Sequence, residues 1–245
     1  MKYIRYVILF LSVVVLCSEM HAQRRSQSGG VSMKNLPTFD YKKVHFGFLL
    51  SMNKSDFQIN YRPDFTFQDS LLSIENVPQS GFNLALLASW DIQKNIRLRF
   101  IPGLSFQDRG LNYRFLDPEG TTTTLFRRTE SVYLDIPLVL KLRTNRIRNF
   151  AAYALIGGKY SIDMQSQKDV DNQAEVDKII KLQKTDYSMD AGAGVDFFLP
   201  YFKFGLELKT AIGFKNVLIQ EETQYSSPIE SLRTRTVIFS ILFEG

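Results

Sequence analysis

Residues 131–143 read SVYLDIPLVLKLR. On an extended strand Val132, Leu134, Ile136, Leu138, Leu140 and Leu142 share one face, while Tyr133, Asp135, Pro137, Val139, Lys141 and Arg143 share the other. A period of two held this long, with Asp, Lys and Arg confined to one side, excludes a helix and excludes a strand buried on both faces. One face therefore meets an apolar medium and the other meets polar company.

The same alternation recurs on both sides of this stretch. It predicts strands over residues 43–53, 81–92, 96–115, 131–143 (reaching back toward Thr122), 150–162, 187–198, 202–212 and 232–243. Abundant Phe (20) and Tyr (11) favour this β reading. Connections alternate between long (residues 54–78, 163–186 and 215–230, with a long hairpin around 117–120) and short (93–95, 144–149 and 199–201). That is the layout of an outer-membrane barrel, with short periplasmic turns and long external loops. Strands 96–115 and 131–143 are expected to stand beyond the membrane as a protruding hairpin, and Trp90 is expected at the rim of the apolar band, where aromatic girdles sit.

A lipocalin also has eight antiparallel strands, with the opposite polarity: apolar residues line its cavity and polar ones face water. The face that carries the charge separates the two. Arg97, Arg99, Lys141, Asp190, Asp196, Glu207 and Lys209 fall on the same faces as Gly47, Gly103, Gly192, Gly194 and Gly205. Small residues and a mixed-sign network suit the narrow lumen of an eight-stranded barrel, and closure satisfies every backbone group, as lipid requires. The expected fold is all-β: an eight-stranded antiparallel transmembrane β-barrel of the outer-membrane type.

The first 22 residues form a separate object. Lys2 and Arg5 make a positive n-region, and residues 6–17 an apolar run too short to span a bilayer as a helix. The expected division is a signal peptide over 1–22, a flexible basic periplasmic arm over 23–41 and the barrel over 42–245. A lipoprotein alternative at Cys17 is weakened by the bulky Leu16 before it. Cys17 is the single cysteine, so the chain after cleavage carries no disulfide, thiol nucleophile or thiolate metal site. A net charge of +5 on 245 residues is too weak to argue for nucleic acid.

Little points to catalysis. His45 is the one histidine outside the leader, and it starts the first strand, at the periplasmic end. Gly157-Gly158-Lys159 lacks phosphate-loop spacing. Asp169, Asp171, Glu175 and Asp177 lack the Gly turn and spacing of a calcium loop and read as a solvated acidic face. No cofactor or metal is expected, and eight strands leave an interior that side chains just fill, so no wide pore is expected either.

The segment Tyr133-Leu134-Asp135-Ile136-Pro137-Leu138-Val139-Leu140-Lys141 resembles a strand common in the Bacteroidota outer-membrane barrel family, with Tyr133, Asp135, Pro137 and Lys141 as its marks. The spacing Asp190-x-Gly192-x-Gly194-Val195-Asp196 resembles the same family. The start, Lys42-Lys43-Val44-His45-Phe46-Gly47-Phe48 with Asn53 and Asp56-Phe57, resembles the PorT family of type IX secretion. That resemblance implies a non-enzymatic part in exporting cargo that bears a C-terminal signal. It also implies other secretion-system proteins as partners, beside outer-membrane lipid, and it carries over no catalytic residue.

Overall fold

The computed structural model describes residues 34–63, 71–117, 119–165, 180–220 and 225–245. The expected signal peptide, most of the arm and the four acidic residues Asp169, Asp171, Glu175 and Asp177 lie outside them. Nine strand segments follow in order: β1 (Val44–Tyr61), β2 (Leu71–Gln93), β3 (Ile96–Phe100), β4 (Gly103–Leu116), β5 (Thr122–Arg143), β6 (Phe150–Asp163), β7 (Thr185–Phe198), β8 (Lys203–Gly213) and β9 (Ile229–Glu244). Each is antiparallel to its neighbours, and β1 pairs with both β2 and β9, from Val44↔Trp90 on one side and Gly47↔Glu244 on the other. The sheet closes on itself and has no free edge, which is the condition for strands to cross lipid. Among the described residues no helix is long and apolar enough to cross a membrane.

Nine segments make eight staves. The strand expected over 96–115 is broken at Ile101-Pro102, and its halves β3 and β4 both run between β2 and β5. The reason lies in two prolines. Pro102 has no N–H to offer, and the pairing against β5 lapses between Phe100↔Leu138 and Gly103↔Asp135, passing over Ile136 and Pro137 and resuming in the same register. The Pro137 carbonyl still accepts from the Ile101 amide at 3.3 Å, and on its other side Pro137 stays in register with Lys159 of β6. The outer wall has an apolar groove of about 420 Å³ here, lined by Phe48, Leu50, Leu84, Leu86, Pro102 and Leu104 among others.

The first connection is shorter than expected. Residues 54–61 continue β1 against β9, and residues 71–78 continue β2 against β4. Pro78, which suggested a loop, is accommodated where the β2–β4 register slips between Pro78 and Phe82. With 23 residues in β2 and 22 in β5, both strands are about twice the 9–11 residues needed to cross a bilayer, while β8 has 11. The barrel wall therefore rises far beyond the membrane on the β1–β5 side. The hairpin β4–β5 is paired up to Leu116↔Thr122, as the protruding reading requires.

The two faces are assigned without ambiguity. Phe46, Met52, Leu86, Trp90 and Leu138 are exposed on the outer wall, while Arg97, Arg99, Lys141, Asp190 and Asp196 are fully buried inside. This is the polarity of a membrane barrel and the reverse of a lipocalin.

Candidate functional site

Inward side chains fill the lumen in three layers. The central layer is ionic. Lys141 Nζ lies 2.9 and 2.6 Å from the two Asp196 carboxylate oxygens, and 3.5 Å from the centre of the Tyr153 ring. Arg99 Nη1 donates to Glu207 Oε2 at 3.0 Å, and the Tyr153 hydroxyl donates to the same oxygen at 2.9 Å. Lys209 Nζ is 3.6 Å from Asp190 Oδ2, and Arg97 Nε is 2.7 Å from Asp91 Oδ1, completing the seven residues singled out by sequence. All seven are buried, and opposite signs stand beside each other. A lumen this narrow cannot hydrate its charges well, so each stands beside a group of opposite sign.

The sequence reading missed Glu244, Lys203 and Lys159. Glu244 is buried at the end of β9, with Lys203 Nζ 2.5 Å from Oε1 and Arg99 Nη2 3.7 Å from Oε2. It lies in the inward phase of β9 with Leu242 and Ser240, so period two extended by one position would have found it. Lys159, set aside as part of a failed phosphate loop, faces Asp135 at 3.4 Å. Asp135 also accepts from the Ser161 hydroxyl at 2.6 Å. Of the family strand motif, Tyr133, Asp135 and Lys141 all point inward; the Tyr133 hydroxyl accepts from Arg109 at 3.2 Å, and Pro137 flanks the break in the neighbouring stave.

Above the ionic layer Asn53, Ser55, Asn83, Ser105, Gln107 and Thr236 form a neutral hydrogen-bond mesh, and Ser51 pairs with Ser240 beside it. A void of about 10 Å³ beside Arg109 and Lys159 leaves room for roughly one water.

The external end has a separate apolar core. Phe57, Ile74, Leu111, Tyr113, Ile229 and Leu232 point inward from the raised wall, and Ile180, Leu182, Val217 and Leu218 pack onto them from the long connections. A bridge joins Leu182 to Leu218. Around it the Gln183 amide donates to the Val217 carbonyl and the Ile219 amide to the Lys181 carbonyl. Burial, with Tyr225 beside it, pushes the Tyr113 phenol above its ordinary value, so it stays a hydroxyl and donates to the Tyr225 carbonyl.

The periplasmic end is closed by the described part of the expected flexible arm. Residues 34–41 are held in place, and Phe39–Tyr41 forms a single 3-10 turn. Phe39 packs against Ala151 and Phe198, and its ring lies 3.8 Å from that of His45, stacked at 15°. Asn35 bonds Asn149 and the Phe198 carbonyl, and Arg146 donates to the Asn35 carbonyl. Asp40 meets Arg143 at 3.0 Å and Arg97 at 3.6 Å. Burial raises the Asp40 carboxyl, but Arg143, then Arg97 and Arg146, outweigh it and hold the group below the usual carboxylate range. The sequence reading took this stretch as part of a basic arm; it did not show that Phe39 and Asp40 had partners more than fifty residues away. His45 is buried, with Nε2 3.8 Å from Asp91.

Residues 21–218 match the family described as outer membrane protein beta-barrel domain. The chain belongs to that family. As an integral outer-membrane barrel it resembles, in fold, the solved structures of Ail, the attachment invasion locus protein of Yersinia pestis, and of OprG from Pseudomonas aeruginosa. Ail shares 10% identity over 83% of this chain and 100% of its own, with a TM-score of 0.38. OprG shares 11% over 82% of this chain and 94% of its own, with a TM-score of 0.39. Likeness at that level says nothing of what this barrel does. No curated protein sequence matches it.

Proposed function

We propose that this outer-membrane barrel neither conducts solutes nor catalyses a reaction, and works through contacts made by its two ends and outer wall. The observation that carries this reading is the filled lumen: a paired ionic layer, a neutral mesh and an apolar external core, with the Phe39 plug beneath. Among the described residues such an interior offers no path for a solute and no accessible acid, base or nucleophile. A lipid-modifying enzyme would need such groups near the external leaflet, and His45 is buried at the opposite end.

The finer reading is an accessory role in type IX secretion, with other secretion-system proteins of the outer membrane as partners. It rests on the resemblance of the Lys42-to-Phe48 start and the Tyr133-to-Lys141 strand to the PorT family. The raised wall over β1–β5 and the apolar groove at the Ile101-Pro102 break are surfaces on which partners would sit. The competing reading, a structural barrel with no part in secretion, is favoured by the family match, which concerns the barrel alone.

Deletion of the chain separates the two. The secretion role requires cargo with C-terminal signals to vanish from the culture supernatant while precursors accumulate in the periplasm. Unchanged secretion from an intact envelope leaves the structural barrel.

A further inference from the structure

At the periplasmic mouth, beside the Phe39 plug, Lys34, Lys42, Lys43, Lys94, Arg143 and Arg146 converge on a cavity of about 430 Å³. Its two carboxylates are already engaged: Asp40 by Arg97, Arg143 and Arg146, and Asp91 by Arg97 and His45. The four lysines make no ion pair with any described residue. The Arg143 side chain is 3% exposed, and its Nε and Nη1 have no hydrogen-bond partner. The cavity thus holds surplus positive charge together with buried donors left open, a combination that suits a multiply accepting anion such as a phosphate.

The outer wall indicates the source of that phosphate. Ile92 lines the cavity and is half exposed, and Trp90 precedes it on the same outward row, also half exposed. A ligand with its anionic group in the cavity therefore has a continuous apolar track leading up into the bilayer. Basic pockets at this level of a membrane protein take anionic headgroups, and a tryptophan at the rim marks the headgroup depth. We propose that the cavity binds the phosphate of an anionic phospholipid in the periplasmic leaflet, with its acyl chains lying along the Ile92–Trp90 row.

Trp90 is the only tryptophan in the chain and reports on this site directly. The full chain is folded into phosphatidylcholine vesicles containing a small fraction of brominated phosphatidylglycerol or, in parallel, brominated phosphatidylcholine. The anionic lipid should quench Trp90 with an apparent binding constant about fivefold or more above that of the zwitterionic lipid, one basic residue's worth at a membrane surface. The substitutions Lys34→Gln, Lys42→Gln, Lys43→Gln and Lys94→Gln together should erase the difference and leave quenching by phosphatidylcholine unchanged. Folding is verified by the gel-mobility shift between unheated and boiled samples. Should the fourfold variant not fold, Lys43→Gln with Lys94→Gln should lower the preference in the same assay. Equal quenching by both lipids, or a preference that survives the lysine substitutions, overturns the proposal. Loss of the preference to millimolar inorganic phosphate at matched ionic strength overturns it in favour of a free-phosphate site. Its loss to an oligoglutamate peptide, but not to phosphate, overturns it in favour of an acidic polypeptide.

Discussion

The Asp196→Asn substitution tests whether the lumen is as dry as its burial implies. Asp196 keeps both oxygens within 2.9 Å of Lys141 Nζ, and the two side chains are 1% and 0% exposed. Two unit charges about 3 Å apart attract by about 5 kcal/mol at an effective dielectric of about 20. Deleting one partner of a buried pair costs about 3–5 kcal/mol, because the other charge is left without compensation. Here that charge is Lys141, with Arg99 and Lys203 also within electrostatic reach of Asp196. Asparagine preserves the volume, so the loss is electrostatic and not a cavity effect. Urea unfolding of the vesicle-embedded barrel, followed by Trp90 fluorescence, is the measurement. With a slope of about 2–3 kcal/mol per molar urea the midpoint should fall by about 1–2 M. Adding Lys141→Met removes both charges and should restore most of the loss, a coupling that a double-mutant cycle reads directly. A loss below about 1 kcal/mol for Asp196→Asn would refute the argument, since it is the value of a hydrated surface pair.

Other parts of the interior make separate predictions. A Cβ at Gly194 would collide with the Tyr153 ring, so Gly194→Ala should displace the Tyr153 hydroxyl from Glu207 and destabilise the barrel by about 1–3 kcal/mol, measured in the same urea assay. Ile229→Ala truncates a fully buried member of the external core and should cost that end about 2–5 kcal/mol. Protease added to whole cells should then cut the external connections while the folded-gel mobility of the barrel is retained. Phe39→Ala removes the ring stacked on His45 and should open the plug, read as faster trypsin cleavage at Lys42 and Lys43. Because the Asp40 carboxyl is held below its ordinary range, its contribution to plug docking is fully present above the usual carboxylate value and is lost as pH falls through the lower folded value. Hydrogen exchange over residues 34–43 should accordingly stay slow near neutrality and accelerate below about pH 4.

Alternation was enough to read the barrel and its staves from sequence, because a wall one residue thick between lipid and a polar lumen imposes period two on every strand. Lys141, Arg99 and Asp196 could be placed on one face by counting alone, and strands 122–143, 150–163 and 185–198 were legible nearly to their ends for the same reason. What counting could not supply was the third dimension. Alternation alone does not say which face is inside; the charged and glycine residues pointed to the lumen, and the closure of β1 onto β9 puts them there. Nor does it say that Lys141 meets Asp196 across 55 residues, or that Glu244 joins Lys203 and Arg99, since partners across a lumen share no local pattern. The two closed ends were hidden for the same physical reason. Residues 34–41 read as a polar arm until Phe198, Asn149 and Arg143 are brought to them by three different strand ends and turns. Leu182, Val217 and Leu218 read as loop residues until the raised wall supplies an apolar surface for them to cover. Local chemistry, repeated every second residue, determined the wall of this protein; what fills and seals it was decided by contacts between residues distant in the chain, where only the closed barrel brings them within reach.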